Sequence, residues 1–255
     1  MRCAAIRRFR AALAGAPLTN NTHKDFGSGD RLCHHGVMDL FREPKFAAYA
    51  YGSQCDPADG IVLQPVTFWA RGERNIGGVL PLIVLTNYDE VELRYGSHPP
   101  KRIAPDRARY PHLLHAPVIF ERRHFSAGEL GLWGMSREHG LVTGYIGGKA
   151  VATARFAADP LATRLELVAD HQVIGRHDAV WLMVRALDQV GNKLPFFPEP
   201  VRIAATGAGR RIGPALVPLR AGSTGFWVQA TGPGAIDINV TSDRLGSIAA
   251  RLAVD

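Results

Sequence analysis

The sequence predicts a mainly β protein in which two β-sandwiches follow a short helical segment. Three observations support this class. Glycine and proline are frequent among the 255 residues, at 27 and 17, which suits short strands joined by tight turns. Short β-favouring runs recur from residue 61 onward, and turn residues separate them. These runs form two groups on either side of residues 158–160. A (β/α)8 barrel of about 250 residues would also fit the length, but the strand-rich pattern argues against it.

Residues 1–57 form the first predicted segment, with a helix expected over residues 44–54. Pro44 stands where a first helical turn tolerates proline, and Phe46 and Tyr49 contribute to an apolar face. The first 22 residues show no convincing hydrophobic period. They are expected to form a poorly ordered arm or a short helix.

Residues 58–159 are predicted to form the first sandwich, of immunoglobulin-like size. Gly, Pro, Asn, Asp and charged turns separate its short runs of β-favouring residues. The Gly147-Gly148-Lys149 stretch is a hairpin signal between the last two runs. The predicted strands cover residues 61–70, 80–87, 91–95, 118–120, 129–133, 141–145 and 150–157.

Residues 160–255 are predicted to form a second immunoglobulin-like sandwich. The segment begins with a clean apolar alternation and contains the turn sequence DQVGN at residues 188–192. About 95 residues with six or so strands again suit a sandwich. Its predicted strands cover residues 163–167, 180–187, 201–206, 225–230 and 235–241.

The charge distribution predicts neither a nucleic-acid nor a membrane partner. Four of the positive charges behind the net charge of +7 belong to Arg2, Arg7, Arg8 and Arg10, which leaves +3 for the rest. Elsewhere the signs are interspersed, and no stripe of basic and aromatic residues occurs. No run approaches the ~20 apolar residues of a membrane span.

The three cysteines, Cys3, Cys33 and Cys55, form no CxxC pair and leave at least one unpaired. Neither a disulfide framework nor a metal site is predicted from them, and no cofactor is predicted either. Residues 7–16 superficially resemble a signal peptide, but the apolar stretch is short and ends at Pro17. The compartment therefore stays unassigned.

Several blocks of sequence resemble glycoside hydrolase family two, the beta-galactosidase and beta-glucuronidase group. HKDFG (23–27) and GVMDLFREPK (36–45) are similar to the last strand, loop and final helix of its catalytic barrel. NYDEVEL (87–93) resembles a strand pair in the sandwich that follows the barrel, and PDRARYPHLLHAP (105–117) a loop of one branch of the group. GEL (128–130) and GKAVAT (148–153) are similar to its closing hairpins.

The resemblance implies a retaining glycosidase in which two glutamates act across the scissile bond, ~5–5.5 Å apart. In the family both glutamates precede every block matched here, and an asparagine comes before the acid/base. No Asn-Glu dipeptide occurs in this sequence. The barrel needs on the order of 200 residues, whereas only the first 55 or so are available for it. We therefore expect a C-terminal, non-catalytic part that carries a short remnant of the barrel, with no catalytic residue of its own.

The resemblance places two candidate substrate-binding residues, Lys24 and Asp25, at the rim of the missing barrel. The alternative is an exposed turn. The His34-His35 pair suggests a metal site only if a third ligand lies nearby, and a loop pair is the simpler interpretation. Glu90 and Glu92 point the same way in a predicted strand and are interpreted as a solvated edge rather than a catalytic pair.

The solvent exposure of the four tryptophans distinguishes core or inter-domain packing from a carbohydrate-binding role. Trp69, Trp133, Trp181 and Trp227 fall in alternating strands, which favours core or inter-domain packing over a sugar-stacking platform. Within the intact enzyme the expected substrate is a carbohydrate with a β-linked galactoside or glucuronide. The expected partners are the missing barrel or further copies of the chain. The alternative function is a carbohydrate-binding or structural immunoglobulin-like module.

Overall fold

A computed structural model describes residues 36–69, 76–132 and 137–255. Strands dominate these residues, which confirms the predicted mainly β class. The chain divides into two compact units, Met1–Asp159 and Pro160–Asp255. Within the described parts, no helix is both long and apolar enough to cross a membrane.

The described part of the first unit contains three short helices, a 3-10 turn over Arg122–His124 and seven strands. The helix over Phe46–Gly52 lies within the predicted residues 44–54, and the strand over Val118–Phe120 has the predicted bounds. The helices are α1 (Phe46–Gly52), α2 (Ile76–Val79) and α3 (Ala127–Leu130); the strands are β1 (Leu63–Pro65), β2 (Leu82–Thr86), β3 (Glu90–Tyr95), β4 (Lys101–Ile103), β5 (Val118–Phe120), β6 (Gly140–Ile146) and β7 (Lys149–Phe156).

The first unit is a sandwich of a three-stranded sheet, in the order β1-β2-β5, and a four-stranded sheet, in the order β4-β3-β6-β7. Alternate apolar residues of both sheets point inward, among them Leu82 and Val84 from β2 and Val91 and Leu93 from β3. Each is at most 1% exposed, and burying one such side chain contributes about 1.5 to 3 kcal/mol. Trp69 completes this core, which confirms the core interpretation for that tryptophan.

The second unit contains nine strands. They are β8 (Ala162–Ala169), β9 (Val173–Ile174), β10 (Ala179–Asp188), β11 (Pro200–Gly207), β12 (Gly209–Ile212), β13 (Leu216–Pro218), β14 (Ser223–Ala230), β15 (Gly234–Ser242) and β16 (Gly246–Val254). A four-stranded sheet has the order β12-β14-β10-β8, and a five-stranded sheet has the order β13-β11-β15-β16-β9. Their inner faces share one apolar core, so this unit is also a sandwich.

Strand β16 was absent from the sequence-based expectation. Its sequence contains Ala249, Ala250 and Ala253, and alanine has a low intrinsic preference for strands. In the structure it pairs with β15 over nine residues, from Gly234 opposite Val254 to Ser242 opposite Gly246. Only Leu252 and Val254 are buried on β16, so the hydrogen-bonded pairing with β15 decides its conformation.

The predicted strand over residues 129–133 is wrong for the described residues 129–132, and the closing hairpin expected at residues 128–130 is wrong as well. Residues Ala127–Leu130 form helix α3 instead. The Ser126 Oγ accepts the Glu129 N–H at 3.4 Å, and the Glu129 Oε2 accepts the Ser126 N–H at 2.7 Å. This reciprocal capping box is readable as the pattern S-x-x-E, which marks the start of a helix. The other expected hairpin, between β6 and β7, is confirmed.

The carboxylate of Glu129 makes the stability of the first unit depend on acid. The hydrogen bond from the Ser126 N–H and the ion pair with the Lys101 Nζ, 2.9 Å away, lower its pKa from 4.5 to about 2. A carboxyl group with a lowered pKa stabilises the fold above its ordinary pKa, and this contribution is lost as the pH falls toward 2.

We therefore expect Glu129→Gln to lower the free energy of unfolding by about 1 kcal/mol at pH 6, because the amide keeps the cap but loses the charge. The difference from the parent should shrink toward zero at pH 2. Urea unfolding at a series of pH values measures it, with Lys101→Met as a matched variant on the other side of the ion pair. A difference of equal size at pH 6 and pH 2 would contradict the assignment.

Candidate functional site

The predicted substrate-binding residues Lys24 and Asp25 lie outside the described residues, as does the His34-His35 pair. Their assignments therefore stay predictions from the resemblance. Among the residues that are described, no cluster of three or more His, Cys, Asp or Glu side chains could hold a metal ion.

Glu90 and Glu92 do not lie on a sheet edge, which corrects the expectation of a solvated edge. They belong to β3, which lies between β4 and β6. Glu90 forms an ion pair with Arg102, and Glu92 accepts a hydrogen bond from the Tyr145 O–H at 3.3 Å. The Arg102 guanidinium also lies 3.7 Å from the centre of the Tyr145 ring. Cross-strand contacts of this kind stabilise a sheet, so both carboxylates have a structural role here.

A shallow groove of about 530 Å³ crosses the outer face of β11, β15 and β16 in the second unit. Its lining combines alanines with the polar side chains of Thr206 and Asn239. Asp237 is the acidic residue among its lining residues, and its Oδ1 lies 3.6 Å from the Arg251 Nη1. Retaining glycoside hydrolysis needs a second carboxyl group about 5 Å from the first, and this lining does not provide one.

A buried amide, Asn87, connects the loop after helix α1 to the first sandwich. Its Oδ1 accepts the Val62 N–H at 2.9 Å, and its Nδ2 donates to the Cys55 and Gly60 carbonyl oxygens at 3.1 and 2.8 Å. The side chain is 2% exposed, so water does not replace these bonds. Asn87 thus fixes the loop between α1 and β1 to the end of β2. Sequence reasoning noted its block but not this role.

Gln54, just after helix α1, makes a second connection, to the loop of residues 105–117. The Gln54 Nε2 donates to the His115 carbonyl oxygen at 2.8 Å, and its Oε1 accepts the His115 N–H at 3.1 Å. Burial lowers the pKa of the His115 imidazole, and the nearby Arg107 lowers it further. A lowered pKa favours the neutral form of the ring, which suits a packed loop residue.

Charged contacts hold the same loop against the end of β5. The Arg109 Nη2 donates to the Glu121 Oε1 at 2.9 Å, which lowers the pKa of the Glu121 carboxyl group. The His124 Nδ1 accepts the Glu121 N–H at 3.0 Å, and burial lowers the pKa of this imidazole too. The loop is thus an ordered, many-contact surface that presents Leu114, which is 64% exposed, to solvent.

The tryptophans take two different positions. Trp69 is buried, stacks on Phe156 with ring centres 4.9 Å apart, and donates from its Nε1 to the Glu138 carbonyl oxygen. Trp133 lies outside the described residues. Trp181 and Trp227 are neighbours on the outer face of the second unit, with ring centres 5.3 Å apart. Because these two lie on the face opposite the apolar core, the core alternative is wrong for them, whereas the inter-domain alternative stays a prediction.

Comparison with known proteins gives a consistent result, although no family model matches the chain. The chain is 53% identical over 211 residues to a beta-galactosidase of Rhizobium meliloti, a match that covers 82% of this chain and 28% of the relative. It is 42% identical over 104 residues to a beta-galactosidase of Rhizobium radiobacter, covering 40% of this chain and 75% of that relative.

A solved structure shares the fold. It is a glycosyl hydrolase family 2 member from Bacteroides cellulosilyticus, with a TM-score of 0.61 at 15% identity, covering 86% of this chain and 32% of the other. The chain thus spans less than a third of the length of this structure and of the Rhizobium meliloti relative.

Proposed function

Since this chain belongs to glycoside hydrolase family two, as a C-terminal portion of its beta-galactosidase group, we propose that it is the non-catalytic part of a beta-galactosidase-like enzyme. In that enzyme the hydrolysis of O-glycosidic bonds takes place on residues that precede the matched region. The two sandwiches support the catalytic part and contribute no carboxylate to the reaction.

The observation that carries this proposal is the 53% identity to a beta-galactosidase over 82% of this chain and only 28% of the relative. The pairing of Glu90 with Arg102 and of Glu92 with Tyr145 supports it, because both carboxylates are committed to contacts within their own sheet. A nucleophile and an acid/base must instead face one substrate from opposite sides.

The proposed partner is the catalytic barrel, whether in the same polypeptide or another. Exposed aromatic side chains around helix α1 support this part of the proposal: Phe68 is 48% and Tyr51 is 42% exposed. The Phe68 ring lies against that of Phe46, with ring centres 5.3 Å apart. A group of exposed aromatic side chains suits a protein contact. The alternative partner is a further copy of the chain, in a homo-oligomer. In the proposed assembly with the barrel, Lys24 and Asp25 would contribute to the barrel rim.

The test is an assay of the purified 255-residue chain on aryl β-galactosides and aryl β-glucuronides. We expect no turnover above the buffer background, whereas an intact beta-galactosidase relative serves as the positive control. Adding a second polypeptide that contains the barrel should restore hydrolysis. Tyr51→Asp should weaken that restoration, because it puts a charge into the proposed contact.

The proposal is contradicted if the chain alone shows measurable turnover and if Glu90→Gln or Glu92→Gln abolishes that turnover. Arg251→Ala, on the other unit, is the matched control for a surface charge change. Turnover that survives both glutamate variants would point to a contaminating enzyme in the preparation. Repeating the assay after a further purification step would then show whether the activity belongs to the chain.

A further inference from the structure

Two tryptophans lie side by side on the outer face of the four-stranded sheet of the second unit. Trp181 in β10 is directly opposite Trp227 in β14 in the strand register. The residues beside them along the strands, Leu182 and Phe226, point to the other face and belong to the core. Because side chains alternate along a strand, both indoles face away from the core.

The local backbone makes room for one indole to lie against the sheet. A Cβ atom at Gly225 would lie only 1.9 Å from the Trp181 Cζ2, so only glycine allows this ring position. The two indole planes are inclined at 59°. Trp227 is 36% exposed, and Ile212, opposite it on β12, is 45% exposed. The result is an exposed apolar surface with aromatic rings at its centre.

Polar groups border this surface on one side. Gln229 follows Trp227 by two residues and therefore lies on the same face, and the Arg210 Nη2 donates to its Oε1 at 2.8 Å. Within the described parts of the chain, no carboxylate forms an ion pair with Arg210. Ala179, opposite Gln229, is small and exposed, so it leaves the space next to the amide open.

This combination matches the chemistry of an acidic sugar. The face of an indole carries a negative quadrupole and attracts the weakly positive C–H groups of a pyranose ring. A guanidinium fork binds a carboxylate with two parallel hydrogen bonds.

We propose that Trp181, Trp227, Ile212, Gln229 and Arg210, named here the tryptophan platform, bind a saccharide that carries carboxylate groups. A sugar ring stacks on the exposed indole of Trp227, and the carboxylate of the sugar contacts the Arg210 guanidinium. This binding role goes beyond the proposed supporting function and is independent of hydrolysis, so either can fail without the other.

Isothermal titration calorimetry of the full chain with a short oligogalacturonate tests the platform, with a neutral galactose oligosaccharide of the same length for comparison. Measurements at about 0.15 M salt limit binding by diffuse charge alone. We expect the acidic oligosaccharide to bind more tightly. Trp227→Ala and Arg210→Ala should each weaken binding by roughly tenfold or more, since each removes a central contact.

Arg251→Ala is the matched control, because it removes an exposed arginine from the other sheet of the same unit. It should change the affinity by less than about twofold. Far-UV circular dichroism verifies that each variant is folded. The platform is overturned if oligogalacturonate does not bind, or if Trp227→Ala binds like the parent. The carboxylate assignment is overturned if both oligosaccharides bind with equal affinity. It is also overturned if Arg251→Ala weakens binding as much as Arg210→Ala does.

Discussion

Replacing Gly222 with alanine is expected to lower the free energy of unfolding of the second unit by about 3 to 4 kcal/mol. Gly222 has φ +75°, and a Cβ atom there would lie 2.2 Å from the Leu194 carbonyl oxygen and 2.7 Å from its carbon. Both atoms are backbone, so no side-chain rotation relieves the overlap. The Gly222 carbonyl oxygen also accepts the Ala186 N–H at 2.9 Å, which ties this turn to β10.

Gly213→Ala is the matched control for Gly222→Ala. Gly213 also has a positive φ, of +92°, but nothing lies within 4 Å of a Cβ atom at this position. Gly213→Ala should lower the free energy of unfolding by only about 1 to 2 kcal/mol, because alanine is strained in this left-handed backbone conformation. Hydrogen exchange with peptide resolution measures the opening free energy of β10 and β14 in each variant. A Gly222→Ala variant no less stable than Gly213→Ala would refute the close backbone approach.

Replacing Asn87 with alanine is expected to lower the free energy of unfolding of the first unit by about 3 kcal/mol. The change removes three hydrogen bonds at a buried position, one from the Val62 N–H and two to the Cys55 and Gly60 carbonyl oxygens. Asn87→Asp should be at least as harmful. It keeps the acceptor for Val62 but turns a carboxylate oxygen toward two carbonyl oxygens.

The surface variant Asn239→Ala is the control, because Asn239 is exposed on β15 and its loss should change stability by less than about 0.5 kcal/mol. Urea unfolding measures the total effect. Hydrogen exchange in residues 46–62 shows whether helix α1 and its loop are released first. If Asn87→Asp is as stable as the parent, the two donated hydrogen bonds contribute little and Asn87 is not the connection described above.

Local patterns predicted much of the fold. Alternating apolar residues over residues 180–187 and 235–241 predicted β10 and β15, because a half-buried strand needs that period. Pro44 and the apolar residues after it predicted helix α1. Where the local signal was weak or misread, the prediction failed. The alanines of β16 have little strand preference, and the predicted strand over residues 129–133 overlaps the end of the S-x-x-E cap of α3.

The candidate sites were less predictable, because they depend on residues distant in sequence. The pattern around Asn87 indicates a strand end, yet its partners Cys55 and Val62 are 32 and 25 residues away. The two tryptophans of the platform are 46 positions apart, and alternation alone does not say which face of a strand meets the core.

By itself the sequence determined the mainly β class, the family resemblance and the position of most strands, because period and turn residues act over short distances. Tertiary structure alone decided that Trp181 and Trp227 face outward. It also decided that Asn87 joins the loop after helix α1 to the end of β2. The pairing of sheets brings distant segments together, and burial makes each hydrogen bond or apolar contact there matter.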